Sequence, residues 1–293
     1  MALDIRPLHP VFAAEVYGLD LRNPPDADLV AQIDAAMHQY AVVVLRDQDI
    51  DDDQQYAFAK AMGPLEPNRA TVDAHLHRLK HHEMADISNL DPQGSILAAD
   101  NRRRLFNLGN RLWHSDSSFK ATPAKYSMLH GRVIPPEGGE TEFADMRAAW
   151  DALPDATKAT IEPLVCDHSL LYSRGLLGFD AFTEQERIDF APVPQRLVRR
   201  HAGSGRRSIY LSAHIGNIYG WPRPEALALI RDLTEHATQR QFVYSHAWRL
   251  HDLVIWDNRC TMHRARPYDD QRYVRDMRRM TLQDSAPTLE QPV

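Results

Sequence analysis

The chain has 293 residues, 43% apolar and 25% charged, with a formal net charge of −6. That is enough apolar residue for a sizeable core, and the length is normal for one large β-rich domain. The acidic balance excludes nucleic acid as the main partner, because phosphate binding wants a basic surface. Only two cysteines occur, Cys166 and Cys260, which argues against a secreted disulfide framework. No apolar run follows a basic stretch at the N-terminus, and none reaches membrane-spanning length. The expectation is a soluble cytoplasmic protein with no membrane partner.

Residues 26–38 carry Leu29, Ile33 and Met37 at helical spacing, and residues 51–62 read as a second helix with an acidic first turn. Between them, residues 40–46 form a β-branched strand. Residues 66–110 are polar, rich in His and Asp, and read as long loops, which in a compact domain are functional lids or disordered. Strands at 126–134 and 140–144 flank a Pro-Pro-Glu-Gly-Gly turn. Asp145 then caps a helix through Leu153, and residues 222–237 form another, with Leu227, Ile230 and Leu233 along one face. Short strands follow at 241–247, 252–256 and 278–282. With no repeat and no linker, this predicts one α+β domain over residues 1–293, mainly β, built on a sandwich or barrel.

His114-Ser115-Asp116 carries the chemistry. On an extended segment, residues i and i+2 share a face, so both side chains can reach one ion. Two imidazoles and one carboxylate on one side of an iron leave positions open for a cosubstrate and oxygen. Among 15 histidines a lone His-x-Asp is close to chance. His81-His82-Glu83 has the same gap and is a rival, with a solvated loop or helix face as its bland reading. What lifts the first motif is its company. His263 follows Trp256-Asp257-Asn258-Arg259 and supplies a third ligand from far along the chain. Arg275 offers the charged fork that the distal carboxylate of a dicarboxylate cosubstrate needs, and the Thr141 hydroxyl suits the same group. A zinc hydrolase also uses two His and one carboxylate, but has no use for an arginine at the far end of its site. A non-catalytic jelly-roll binding module would not need all three ligands.

With these pieces on the chain, the sequence resembles the taurine dioxygenase family of Fe(II)/2-oxoglutarate enzymes, and most of all its 2,4-dichlorophenoxyacetate dioxygenase branch. The likeness is carried by Leu112-Trp113-His114-Ser115-Asp116, by Gly138-Gly139-Glu140-Thr141-Glu142-Phe143, by Trp256-Asp257-Asn258-Arg259 and by Ala85-Asp86-Ile87-Ser88-Asn89. The resemblance implies a double-stranded β-helix, or jelly roll, with flanking and inserted helices. His114, Asp116 and His263 would hold Fe(II), with O2 as oxidant. Thr141 and Arg275 would hold the 2-oxoglutarate C5 carboxylate. Arg279 matches the family's second arginine, nearer the substrate's acidic group. Trp256 lines the pocket in such enzymes, with a plain core Trp as the competing reading. A carboxylate substrate wants a cation near the iron, for which Arg279 and His214 are the candidates, a structural histidine being the alternative for His214. The implied reaction hydroxylates the carbon beside the ether oxygen of an aryloxyalkanoate and releases a phenol and glyoxylate, with succinate and carbon dioxide from the cosubstrate. A sulfonate such as taurine is the alternative within the family. A homodimer or tetramer is expected by the same likeness.

Overall fold

The computed structural model describes residues 3–67 and 79–292. A hairpin of β1 (Asp4–Pro7) and β2 (Ala14–Tyr17) leads into α1 (Ala27–Tyr40), β3 (Val42–Leu45) and α2 (Asp52–Met62). Both helices start where their caps dictate. The Asp26 carboxylate accepts from Leu29 N–H at 2.8 Å, and Asp51 and Gln54 form a reciprocal capping box. Ala41 (φ 59°) ends α1 in the left-handed region, so β3 can reverse under it.

Residues 66–67 and 79–110 depart from the all-loop expectation for 66–110, of which residues 68–78 lie outside the described residues. They contribute β4 (Ala85–Asp86), α3 (Arg102–Asn107) and a short 3-10 turn, Leu108–Arg111. Asn101 caps α3 through its side-chain oxygen, a start signal hidden by the polar composition. Then come β5 (Ala124–Val133), β6 (Thr141–Asp145), α4 (Met146–Asp151), α5 (Asp155–Ile161), β7 (Val165–His168), α6 (Leu170–Gly175) and α7 (Glu184–Asp189). The chain closes with β8 (Val193–Arg196), β9 (Val198–Arg200), β10 (Arg207–Ile209), β11 (Ile215–Ile218), α8 (Arg223–Ala237), β12 (Val243–His246), β13 (Leu253–Asp257), β14 (Thr261–Ala265) and β15 (Asp276–Gln283).

Seven strands form the large sheet in the order β1-β2-β3-β13-β5-β15-β4, and β12-β6-β14 form a smaller one. Strand periodicity divides the core between them. Val43, Leu45, Leu253, Ile255 and Met128 point to one face, where Ile33 and Met37 of α1 and Phe58 and Met62 of α2 cover them. Val42, Val44, Val254, Trp256 and Met277 point to the other, against Phe143 of the small sheet. This is why β3 is an unbroken apolar run: both faces are buried, each Val or Leu stabilising by about 1.5–3 kcal/mol. A third core packs α4 and α8 on β7 and β11. Among the described residues, no helix is long and apolar enough to cross a membrane.

Candidate metal centre and active-site cavity

The two sheets converge on one pair of residues. The backbone N–H of His114 donates to His263 O at 3.0 Å, and His263 N–H donates back to His114 O at 2.8 Å. This isolated bridge joins the His-x-Asp segment to β14, which antiparallel pairing fixes beside β6. Beyond His114 the chain turns at once, with Ser117 at φ 53°, and swings the Asp116 carboxylate between the two imidazoles. Asp116 Oδ1 lies 3.8 Å from His114 Nε2, and Oδ2 lies 3.6 Å from His263 Nε2.

The donor set has the protonation a cation needs. Burial lowers both histidines, His263 to about 3, so both imidazoles are neutral at physiological pH. Asp116 is buried too, but Arg279 and the two histidines hold it well below the ordinary carboxylate range. His114 Nδ1–H donates to Leu112 O at 2.7 Å, which leaves Nε2 as the lone pair facing the carboxylate. His263 Nδ1 is buried without a hydrogen-bond partner. Its ring is held instead between Trp256, centroids 4.7 Å apart, and Phe143 at 6.1 Å.

A hydrogen-bonded scaffold fixes Asp116. Ser127 Oγ donates to its Oδ2 at 2.8 Å, Asn258 Nδ2 donates to that hydroxyl at 2.9 Å, and Asp116 N–H donates to Asn258 Oδ1 at 3.0 Å. Trp256 Nε1–H donates to the same Asn258 oxygen at 3.1 Å. Trp256 is thus 1% exposed and stands in the wall behind His263, outside the residues that line the cavity. The pocket-lining expectation for Trp256 is corrected, and the core reading holds.

Arg279 lies beside the ligand set, where its Nη1 donates to Asp116 Oδ1 at 2.8 Å. It lines the cavity while already paired. His214 is fully buried, and desolvation lowers its pKa well below 6.5, so it is a neutral imidazole and not a second cation. Its Nδ1 lies 2.8 Å from Ser173 Oγ, and its ring packs edge-on to Phe119 at 5.0 Å.

The cosubstrate candidates occupy a neighbouring place. Arg275 precedes β15, and a register shift between Asp276 and Met277 offsets it from Arg279, so an even spacing on one strand does not relate the two. Its backbone is clamped by Asn89, which accepts from Arg275 N–H at 2.9 Å. Its guanidinium is buried, has no partner at Nε, makes no ion pair among the described residues, and is pushed down to about 10 by desolvation. Gly138 and Gly139 (φ 71° and 75°) make the turn beside it, and a Cβ on Gly139 would lie 3.7 Å from Arg275 Nε. Thr141 Oγ1 accepts from Trp248 Nε1–H at 3.0 Å, which leaves its own proton free to donate.

The rival His81-His82-Glu83 lies elsewhere. His81 stacks on Tyr56, 4.1 Å between ring centres, and its Nε2 lies 2.5 Å from Asp53 on the outer face of α2. One further group of possible ligands among the described residues, His201, Asp257 and Cys260, is already filled by a cation: Arg259 donates to both Asp257 oxygens, at 2.9 and 2.6 Å.

Beside His114 and Asp116 opens a cavity of about 880 Å³. Its aromatic wall holds Phe106, Phe119, Leu170 and Phe190, and Phe179 packs edge-on against Phe106 at 5.5 Å. Half of this wall comes from residues 170–193, which the sequence reading passed over. The available signal was the density of aromatic residues, Phe179, Phe182 and Phe190, in a stretch without strong periodicity.

Comparison with known proteins agrees with this arrangement. Residues 4–281 match the family described as taurine catabolism dioxygenase TauD, TfdA family. The alpha-ketoglutarate-dependent 2,4-dichlorophenoxyacetate dioxygenase of Cupriavidus pinatubonensis (strain JMP 134 / LMG 1197) is 46% identical over 286 residues, covering 98% of this chain and 99% of its own. The (S)-phenoxypropionate/alpha-ketoglutarate-dioxygenase of Sphingobium herbicidovorans is 38% identical, covering 92% and 91%. The crystal structure of AAD-2 in complex with Mn(II) and N-oxalylglycine superposes with a TM-score of 0.95 at 54% identity, over 98% of this chain and 100% of that one. On the match along almost its whole length, the chain belongs to the taurine catabolism dioxygenase TauD, TfdA family.

Proposed function

We propose that the chain is one Fe(II)- and 2-oxoglutarate-dependent dioxygenase domain that hydroxylates an aryloxyalkanoate at the carbon beside its ether oxygen. The observation that carries this is the junction of a neutral-His, ionised-Asp ligand set with an aromatic-walled cavity large enough for an arylated acid. The relatives that act on 2,4-dichlorophenoxyacetate and phenoxypropionate, 2-oxoglutarate (alpha-ketoglutarate) being their cosubstrate, support the same substrate class. The large sheet facing the small one supports a double-stranded β-helix. Two free, buried cysteines accord with a cytoplasmic location.

In this reading His114 Nε2, His263 Nε2 and Asp116 hold Fe(II), with Ser127 and Arg279 fixing the carboxylate. Arg275 and Thr141 hold the distal carboxylate of 2-oxoglutarate: the guanidinium lacks a counter-ion among the described residues, and the hydroxyl keeps a proton to give. Iron held there would supply the oxidising chemistry, with one atom of O2 ending in the substrate C–H bond and the other in the succinate formed with carbon dioxide from 2-oxoglutarate. Phe106, Phe119 and Phe190 seat the ring and keep water from the reacting carbon. The hydroxylated ether is a hemiacetal, which breaks to a phenol and glyoxylate. A small sulfonate would leave the aromatic end of the cavity unfilled.

Anaerobic addition of Fe(II) and 2-oxoglutarate should give a visible charge-transfer band, and phenoxyacetate should then release succinate and phenol in equal amounts on admitting air. Absence of the band, or hydrolysis with no oxygen consumed, would sink the assignment.

A further inference from the structure

We infer that Glu66 is a positioning residue for the metal carboxylate: by gripping the turn at Ser117 it sets Asp116 in place, an assignment that rests on the Fe(II) reading and deepens it. Ser117 directly follows Asp116 and stands at φ 53°, in the left-handed region that disfavours any residue with a Cβ. That turn swings the carboxylate between His114 and His263. A conformation of this kind persists only where the surrounding contacts over-determine it. Here the contact is the buried Ser117 hydroxyl, which donates to Glu66 Oε1 at 2.8 Å. Lys120 Nζ pairs with the same oxygen, and Lys120 N–H donates to Ser117 O at 2.9 Å. One carboxylate thus ties both ends of the turn behind the ligand.

Glu66 is itself fixed to the large sheet. Its side chain is buried, its backbone N–H donates to Thr281 O on β15 at 2.8 Å, and the preceding Leu65 bridges to Leu282 of the same strand. β15 also carries Arg279, whose Nη1 reaches Asp116 Oδ1. The last strand therefore governs the ligand from two directions. Arg279 takes the carboxylate itself, and Glu66 takes the backbone turn that aims it.

Gln195 supports the far side of the same turn, where its Nε2 donates to Ser118 O at 3.0 Å and to Lys120 O at 2.8 Å. It leaves the residue next to the ligand to Glu66. Glu66 also lines the large cavity, and its second oxygen, Oε2, is buried there without a hydrogen-bond partner. A half-satisfied buried carboxylate is a poor device for stability alone. Its place at the Ser117 hydroxyl is what the metal site gains from it.

The test measures Fe(II) affinity of the full chain by anaerobic equilibrium dialysis, beside the melting temperature of the metal-free protein. The variants are Glu66→Ala, Glu66→Gln, Ser117→Ala, Ser117→Gly and the double Glu66→Ala with Ser117→Ala. Partners that orient a metal's ligands are worth about 10–100-fold in affinity, and Glu66→Ala or Ser117→Ala, acting one side chain further out, should each lose about 10-fold. The double variant should lose no more than either single one, because both remove the same contact. Glu66→Gln keeps an oxygen for the Ser117 hydroxyl and should recover most of the affinity. Ser117→Gly gives up the hydroxyl but adopts φ 53° freely, so it should bind Fe(II) more tightly than Ser117→Ala. Unchanged Fe(II) affinity in Glu66→Ala with a lowered melting temperature would make Glu66 purely structural and overturn the assignment. Additive losses in the double variant, or Ser117→Gly no better than Ser117→Ala, would overturn it as well. Failure of the unaltered protein to retain Fe(II) overturns the metal reading, and the positioning role with it.

Discussion

Arg275→Met isolates the grip on the cosubstrate. The guanidinium is 7% exposed, pairs with no carboxylate among the described residues, and is positioned by Asn89 through two backbone contacts, 2.9 and 3.2 Å. Met keeps most of the side-chain volume and removes the charge. A hydrogen bond to a charged group contributes about 1.5–3 kcal/mol, so losing a two-point contact to the C5 carboxylate should cost about 3 kcal/mol, or roughly 150-fold in affinity. Thr141→Val removes one neutral donor and should cost only about 1 kcal/mol, close to five-fold. The assay is anaerobic titration of the charge-transfer band with 2-oxoglutarate at fixed Fe(II). The KM for phenoxyacetate at saturating 2-oxoglutarate should move far less. An Arg275→Met protein that binds 2-oxoglutarate as tightly as the parent would show that the C5 carboxylate lies elsewhere, and the whole assignment of cations to anions would have to be redrawn.

Replacing His114, Asp116 or His263 by Ala should abolish Fe(II) retention and turnover with circular dichroism unchanged, whereas His81→Ala should keep both; equilibrium dialysis with Fe(II) separates them. Trp256→Phe loses the N–H bond to Asn258 and should cost about 1 kcal/mol of stability in urea unfolding with phenoxyacetate KM unmoved, since the ring lies outside the cavity; a large KM change would restore it to the pocket. His168 is buried with neither ring nitrogen partnered, and desolvation lowers it to about 3. Its folded pKa lies below the unfolded 6.5, so the unfolded chain takes up the proton first and stability is lost as pH falls from 6.5 toward 3. His168→Phe should therefore remove about 2 kcal/mol of the destabilisation between pH 7 and pH 5, and equal pH slopes for the two proteins would refute this.

The parts of the fold written locally were legible. Helix caps at Asp26, Asp51 and Asp145 and the apolar run at β3 are near-neighbour signals, and the elements start within a residue or two of where those signals fall. The ligand triad was legible for a different reason: His114 and Asp116 are adjacent, and the partner His263 follows a distinctive Trp-Asp-Asn-Arg run. What stayed hidden depends on long-range pairing. β14 is five residues bounded by turns, and β7 to β11 are three or four residues each, too short for a period to register. The parity argument for Arg275 and Arg279 failed because a bulge, which shows only in the register with β5, lies between them.

The arginines mark the limit most clearly. The chain shows Arg275 and Arg279 as equal letters, and a charge near an iron site makes each a plausible anchor. Their availability is decided by partners that sequence does not display. Arg279 is paired with Asp116, one of the residues that would also hold the metal. Arg275 pairs with no carboxylate among the described residues, and its Nε is buried without a hydrogen-bond partner. A buried cation costs free energy in proportion to how poorly it is neutralised, so an unmatched one persists where a bound anion completes it. By that reasoning Arg275 is preorganised for the distal carboxylate of the cosubstrate before it arrives.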